Sequence, residues 1–240
     1  MKMRRPQRVH YTGEVSKKKS RFRHLERAFV RDGGRQGARA TLCSRQDNGT
    51  APLVRAHPFW AELFGNPAPV ELEIGSGDGT FLRAAALRDP DVNLLGIENA
   101  YPRLRRAEER VAAMGSPRVR TLMADATCVI KTIVPAASVH AYHIYFPDPW
   151  PKHRHAKRRV VTPSLVRALA RTLIPGGHLF LATDVHGYGW LMRGCILAHP
   201  AFVELPVDDT HGGLLTGFAR KYRARGRQVF LATFQRIEGR

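Results

Sequence analysis

Nine residues, Glu71-Leu72-Glu73-Ile74-Gly75-Ser76-Gly77-Asp78-Gly79, join a short apolar run to the start of a helical one. Glycines at alternate positions permit a tight turn and let backbone N–H groups approach a ligand closely. Strand, glycine turn and helix in succession form the opening unit of an α/β sheet. The spacing then narrows the ligand. A pyrophosphate fingerprint would place its third glycine at position 80, which is Thr80 here. The third glycine is instead Gly79, and the acid Glu73 stands just ahead of the first. A carboxylate at that point would repel a pyrophosphate and could face a cation.

From Pro69 onward, strands alternate with helices. Apolar runs at 70–74, 92–97, 118–123 and 139–145 predict four strands, with helices over 80–87 and 102–114 between the first three. Thr162-Pro163 caps a helix over 164–173, with the proline near its first turn. Pro175-Gly176-Gly177 turns the chain into a strand over 178–182. A helix around 188–198 precedes strands near Phe202 and over 229–234. Alternation on this scale predicts a doubly wound, mostly parallel, seven-stranded Rossmann-like sheet over 68–240. Residues 1–67 read differently. They carry 15 Lys/Arg against 5 Asp/Glu, and Gly33, Gly34, Gly37 and Gly49 interrupt any helical period. They are expected to form a basic, partly disordered arm.

Two further acids fall at successive strand ends. Glu98 closes the second strand, 23 residues after Gly75, where a carboxylate can accept both hydroxyls of a ribose. Asp125, beside Ala126, follows the third strand at a place suited to contact with an adenine. Each alone can also be read as a charge favouring a helix N-terminus. Together with Glu73 they point to a nucleoside ligand bearing a cationic group, for which the sulfonium and amino groups of S-adenosylmethionine are candidates. The E-x-G-x-G-x-G arrangement resembles motif I of the class I methyltransferases. That resemblance implies S-adenosylmethionine as cofactor, with Gly75, Ser76, Gly77 and Ala126 joining the three acids.

The segment leaving the fourth strand, Tyr145-Phe146-Pro147-Asp148-Pro149-Trp150-Pro151-Lys152, holds three prolines in five residues, a stiff turn that no helix can absorb. Phe146 and Trp150 can offer aromatic faces to an extruded base. Asp148 can accept hydrogen bonds from the Watson–Crick edge of a guanine. Lys152, Arg154, Lys157, Arg158 and Arg159 follow, with no acid until Asp184, a place for phosphates. Pro147 to Arg159, written P-D-P-W-x-K-x-R-H-x-K-R-R, resembles the signature of the bacterial tRNA (guanine-N7-)-methyltransferase family. The similarity covers the chain from about Pro69 to its C-terminus and includes Thr183-Asp184. It implies that Asp148 is catalytic and also lies at the cofactor. It also implies that Lys152, Asp184 and the region of Thr216 contact the substrate, a guanine in the tRNA variable loop. Arg154, Arg158 and Arg159 are expected at the RNA backbone. One departure stands out: where the family reads Thr-Lys-Phe-Glu, this chain has Thr216-Gly217-Phe218-Ala219. The absent carboxylate bears on the target nucleotide more than on the reaction.

Charge supports an RNA partner. The chain carries 39 Lys+Arg against 20 Asp+Glu, a formal net charge of +19, which favours a polyanion. Arg220, Lys221, Arg223, Arg225 and Arg227, with Tyr222 among them and no acid, extend the basic surface. Cys43, Cys128 and Cys195 are far apart, which argues against a disulfide scaffold or a cysteine-rich zinc site. His153 and His155 lack a third ligand at a sensible spacing, so no metal is expected. No apolar run approaches the roughly 20 residues needed to cross a bilayer, and a cytoplasmic location is expected. Two other readings remain open on sequence alone: a methyltransferase of this class acting on another RNA base or on a protein, and a non-catalytic RNA-binding protein on the same scaffold.

Overall fold

The structure, a computed structural model, describes residues 57–207, 213 and 216–238. The basic arm expected over 1–67 lies outside the described residues apart from 57–67. There the chain forms helix α1 (Pro58–Phe64), begun by Pro58 in its first turn and ended by Gly65 at φ 74. Trp60, Leu63 and Phe64 share its buried face, the i, i+3, i+4 spacing of a helix against a core. Trp60 is fully buried, and its indole N–H donates to Ser138 Oγ at 3.1 Å. Asn66 and Asn93 exchange side-chain hydrogen bonds of 3.1 and 2.9 Å. The packed domain therefore takes in residues ahead of position 68, where composition alone suggested a boundary.

The remaining elements run β1 (Val70–Ile74), α2 (Thr80–Arg88), β2 (Asn93–Glu98), α3 (Tyr101–Ala112), β3 (Val119–Met123), α4 (Ala126–Thr132) and β4 (Val139–Tyr145). A 3-10 helix (His153–Arg158), α5 (Pro163–Thr172), β5 (Leu173–Thr183), α6 (His186–Leu197), β6 (Phe202–Leu205), α7 (Gly217–Arg223) and β7 (Phe230–Arg236) follow. The strands form one sheet in the order β3-β2-β1-β4-β5-β7-β6. Pairing is parallel from β3 through β5, and only β7 runs against its neighbours. The α/β, doubly wound, mostly parallel seven-stranded sheet expected from the sequence is present. Chain order reverses between β1 and β4, and such a switch point opens a crevice at the carboxyl ends of the strands. The glycine turn leaves β1 there, and the proline-rich segment leaves β4 there.

Two elements differ from the sequence reading. Helix α4 lies outside the helices read from periodicity; it starts where the Asp125 side chain accepts the Cys128 N–H at 2.9 Å, the helix N-terminal role that Asp125 also allows. Strand β5 begins at Leu173 rather than 178, because Pro175-Gly176-Gly177 forms a bulge inside it. Val139 pairs with Leu173, whereas Ala141 pairs with His178. Gly177 has to be glycine at that bulge, since a Cβ would lie 2.9 Å from the Ile174 carbonyl oxygen and 3.0 Å from that of His140.

Candidate active site at the carboxyl edge of the sheet

Gly75, Gly77 and Gly79 adopt φ of 78, 55 and 74, a region that a side chain makes costly. The amides of Gly75 and Ser76 donate to the Ile97 carbonyl oxygen at 2.8 and 3.1 Å, and that of Gly77 donates to Glu98 Oε2 at 2.9 Å. The three glycines serve different ends. A Cβ on Gly75 or Gly77 would meet no atom within 4 Å, so these two shape a turn whose outer side is open to a ligand. A Cβ on Gly79 would press on Ala107 of α3 at 3.1 Å, so this glycine lets α2 and α3 close together.

Arg110 of α3 fixes the far side of the turn. Its Nη1 donates to the Asp78 carbonyl oxygen and to Thr80 Oγ1, each at 2.7 Å, and lies 3.0 Å from Asp78 Oδ2. Burial alone would raise the Asp78 carboxyl, but hydrogen bonds from Thr80 and Arg110, with the guanidinium charge, hold it below the usual range. Arg110 was not anticipated from sequence; its place in a helix crowded with arginines gave no signal.

The acids at the strand ends are not equivalent. Glu98 is buried, and its carboxylate accepts amides from Gly77, Asn99 and Ala100 at 2.8–2.9 Å. With about four lone-pair sites on a carboxylate, most of its capacity is committed to backbone, one amide of the glycine turn and two at the entry to α3. Glu73 is also buried, yet its Oε2 has no hydrogen-bond partner, and neither does the buried Ser76 Oγ beside it in the turn. Burial, then the charges of Asp78 and Glu98, push the Glu73 carboxyl well above its ordinary value. An unpaired buried carboxyl is costly, and a cation against it would satisfy it. Ser76 fits under β2 because residue 96 is glycine: a Cβ there would lie 2.8 Å from the Ser76 Cβ and 2.5 Å from Leu82. The glycine interrupting the apolar strand Leu94-Leu95-Gly96-Ile97 was the sequence sign of that close approach.

On the same face, Glu71 Oε2 meets His143 Nε2 at 2.8 Å, and His143 Nδ1 meets the Tyr145 hydroxyl at 2.7 Å. Burial would raise Glu71, but the hydrogen bond and charge of His143 bring it below its usual range. Burial, reinforced by Glu73 and Glu71, drives the Tyr145 phenol well up. This polar chain was invisible in the sequence, because β1 and β4 are far apart along it and only the parallel register aligns Glu73 with His143.

The proline-rich segment departs from β4 with Phe146 at φ 49, and Trp150 at φ 43 closes it. Two non-glycine residues in the left-handed region thus bracket Asp148, strain of a kind that collects at functional sites. Asp148 is exposed. Arg159 runs back beneath the turn, donating from Nε to the Pro149 carbonyl oxygen at 3.0 Å and from Nη2 to that of Trp150 at 3.3 Å. Its guanidinium also lies 5.5 Å from the Tyr188 ring centroid. Arg158 stacks over Trp150 at 4.8 Å. Lys152, Arg154 and Arg158 are exposed on and beside the 3-10 helix, whereas Arg159 is half-buried in these internal contacts.

Asp184 follows β5 and meets α7 across the mouth. Burial, then the neighbouring Asp184 carboxylate, raises the Tyr222 phenol. Phe146 stacks with Phe218 at 5.6 Å and with Tyr222 at 5.8 Å. Thr216 is buried as the N-cap of α7: its hydroxyl accepts the Ala219 amide at 3.0 Å and donates to the Gly213 carbonyl oxygen at 2.9 Å. Gly217 approaches Thr80 of the glycine turn, where a Cβ would lie 3.6 Å from Thr80 Cγ2. Ala219, where the family motif has glutamate, is fully buried. The structure thus gathers Glu73, Ser76 and Glu98 at the glycine turn and links the Asp148 turn, through Phe146, to Asp184 and α7. Asp125 caps α4 at the end of β3, with Ala126 beside it, and its carboxylate is committed in part to that cap. Among the described residues, no group of three His, Cys, Asp or Glu is placed to hold a metal ion, and no helix is long and apolar enough to cross a membrane.

A seven-stranded sheet with one reversed strand and a glycine turn at its switch point defines the class I methyltransferase fold. Solved structures agree at the level of fold. The 16S rRNA methyltransferase KamB matches with a TM-score of 0.56 at 16% identity, over 77% of this chain and 95% of that one. The antibiotic-resistance methyltransferase Kmr matches with a TM-score of 0.51 at 22% identity, over 75% and 92%. A family model described as "Putative methyltransferase" matches residues 67–232. Curated relatives named tRNA (guanine-N(7)-)-methyltransferase include one from Alkalilimnicola ehrlichii, 39% identical over 73% of this chain and 76% of that protein. Others come from Saccharophagus degradans, at 41% over 60% and 63%, and Nocardia farcinica, at 42% over 62% and 55%. The chain therefore spans less than two thirds of the length of the last two. It belongs to the tRNA (guanine-N(7)-)-methyltransferase family.

Proposed function

We propose that this chain methylates N7 of a guanine in tRNA, in the variable loop as the family resemblance implies, with S-adenosylmethionine as methyl donor and in the cytoplasm. The observation that carries this reading is the buried Glu73 carboxyl, unpaired at Oε2 beneath a glycine turn with an open outer side. Those features fit a cationic nucleoside ligand and oppose a pyrophosphate. Glu73, Ser76 and Glu98, with the backbone of Gly75 and Gly77, would hold the cofactor, and Asp125 and Ala126 would border its base. The cofactor supplies an electrophilic methyl group.

Guanine N7 carries an in-plane lone pair and no proton, so no residue has to remove one. The task of the chain is to hold N7 in line with the methyl at about 3–3.5 Å and to exclude water. As N7 is alkylated the base becomes cationic. In this reading, Asp148 accepts hydrogen bonds from the guanine edge, makes the ring more electron-rich and offsets the developing charge. The strained turn and Arg159 position that carboxylate. Lys152, Arg154 and Arg158 contact phosphates, and Asp184, near Tyr222 and the α7 cap at Thr216, borders the substrate.

The decisive experiment incubates the chain with S-adenosylmethionine and tRNA and maps modified nucleotides by nuclease digestion and mass spectrometry. The proposal requires 7-methylguanine at one variable-loop position. Ala219 supports a second reading, in which the substrate-side carboxylate of the family is replaced by core packing and a different nucleotide is selected; methylation at another position would establish it. Absence of any transfer, with intact cofactor binding, would defeat both.

A further inference from the structure

Helix α6 buries Tyr188, Gly189, Met192 and Ile196 against the sheet. Its opposite side carries two consecutive large apolar residues, Trp190 at 60% and Leu191 at 57% exposure. The core does not call for an indole at that position, yet the structure holds it firmly. The ring stands edge-on to Phe230 at 5.3 Å and 71°. The Arg193 guanidinium lies 5.4 Å from its centroid. Arg193 is itself fixed by Glu204 through contacts of 2.9, 2.9 and 2.6 Å. Gly189 makes the arrangement possible: a Cβ there would fall 2.5 Å from the Phe230 ring, so only glycine lets that ring lie under the helix.

The position of this indole matters as much as its exposure. Phe230 pairs with Thr183 at the carboxyl end of β5, next to Asp184. Trp190, resting on Phe230, therefore stands at the carboxyl edge of the sheet, the edge that also carries the candidate site. The segment that leads into Phe230 carries Arg220, Lys221, Arg223, Arg225 and Arg227, all exposed, with no acid among them. That basic segment enters β7 at Phe230, the ring on which the indole rests. Arg193 is engaged by Glu204 and is poorly suited to a phosphate, so the patch itself is apolar and aromatic within a basic surround. A held aromatic face beside a cationic track is the arrangement that binds single-stranded nucleic acid, because every base has a π-face and stacks on it without regard to sequence.

We propose that Trp190 is a stacking platform for an unpaired nucleobase of the RNA substrate, a base other than the one methylated. The inference rests on the RNA methyltransferase reading above and extends it to a contact outside the Asp148 turn. Because Arg193 and Phe230 already fix the ring, stacking costs little side-chain ordering, and because the contact is uncharged it leaves the salt dependence of binding unchanged.

The test measures tRNA affinity of the full chain by fluorescence anisotropy across a salt series, for wild type, Trp190→Ala and Trp190→Phe. For Trp190→Ala we expect roughly 5- to 100-fold weaker binding at every salt concentration, the loss typical of one base–aromatic stack, with the slope of log K against log salt unchanged. Trp190→Phe should recover most of the affinity, and cofactor affinity should not move. Bound tRNA should also shield from acrylamide a tryptophan emission that Trp190→Phe lacks. Affinity within twofold of wild type, or a flattened slope, would overturn the platform. So would a Trp190→Ala chain that binds tRNA normally but loses a dimer seen by sedimentation, since the patch would then join copies of the chain. Wild-type protein that fails to bind tRNA at all would sink the functional reading itself, a result distinct from each of these.

Discussion

Arg159 Nε donates to the Pro149 carbonyl oxygen at 3.0 Å, so a residue that the basic run offered as a phosphate contact is tied instead to the turn that carries Asp148. On the proposed reading, Arg158 and Arg159, adjacent in sequence, take different roles. Arg158→Ala should weaken tRNA binding and flatten its salt slope by roughly 0.7–0.9 log units per decade, the share of one phosphate. Arg159→Ala should leave that slope nearly intact and lower turnover at saturating substrates. Parallel salt titrations and single-turnover rates on the two variants would distinguish them. Identical behaviour would remove Arg159 from its positioning role.

Asp148→Asn tests the proposed electrostatics. The side chains have nearly equal volume, and the strained turn should persist. The Asn side chain brings an NH₂ against guanine donors where a carboxylate only accepts. Loss of a preorganised partner of this kind typically costs about 10²–10³ in turnover. The measurement is single-turnover methyl transfer at saturating cofactor and tRNA, and a rate within about threefold of wild type, under 1 kcal/mol of barrier, would remove Asp148 from the mechanism.

Glu73→Gln should separate function from stability. The carboxyl is raised well above its ordinary value near 4.5 by burial, Asp78 and Glu98. As pH rises past the unfolded value the unfolded chain gives up its proton first, so this group lowers stability progressively and its full penalty is reached above the raised folded value. Glutamine carries no such penalty. At neutral pH the variant should melt higher in the absence of ligand, each kcal/mol relieved appearing as roughly 2–4 °C, and the gain should vanish toward acid pH. Cofactor affinity should fall sharply, because the cation loses its counter-charge. In wild type, cofactor binding should release a proton and weaken as pH falls through the raised value. Calorimetry in buffers of different ionisation enthalpy would detect that proton. At pH values below the raised one, binding with no proton release would place the cation elsewhere.

Gly75→Val should abolish cofactor binding for a reason the backbone makes specific. A Cβ at Gly75 meets no protein atom, so the variant folds around a residue forced to φ near 78, at a cost of about 1–3 kcal/mol. Its side chain projects where the ligand backbone contacts are expected. Thermal melts and calorimetry together test this: a folded, slightly less stable chain that still binds S-adenosylmethionine normally would mean that the turn is not the cofactor loop.

Much of this architecture could be read from local sequence. The β–α alternation gave all seven strands, because buried parallel strands are continuous apolar runs with polar turns between them. The Glu73 to Gly79 and Pro147 to Arg159 segments marked the two loops at the switch point. What escaped is non-local or conformational. Arg110 acts on the glycine turn from another helix, and Glu71, His143 and Tyr145 meet only through the register of β1 with β4. Thr216, expected at the substrate, has its hydroxyl committed to capping α7, a helix hidden within a run of arginines. Trp60 lay inside a stretch whose mean charge masked a short amphipathic helix.

The left-handed conformations at Phe146 and Trp150 bear on selectivity. A turn held this way by three prolines, Arg159 and the stacked Phe218 and Tyr222 rings has surrendered its freedom during folding. Under the proposed chemistry, an incoming RNA then meets a carboxylate that needs no loop closure to assemble it. On that reading, discrimination between correct and incorrect RNAs does not call for an induced rearrangement of this turn. It is then exercised earlier, in whether the surrounding basic and aromatic surface lets a given guanine arrive at all.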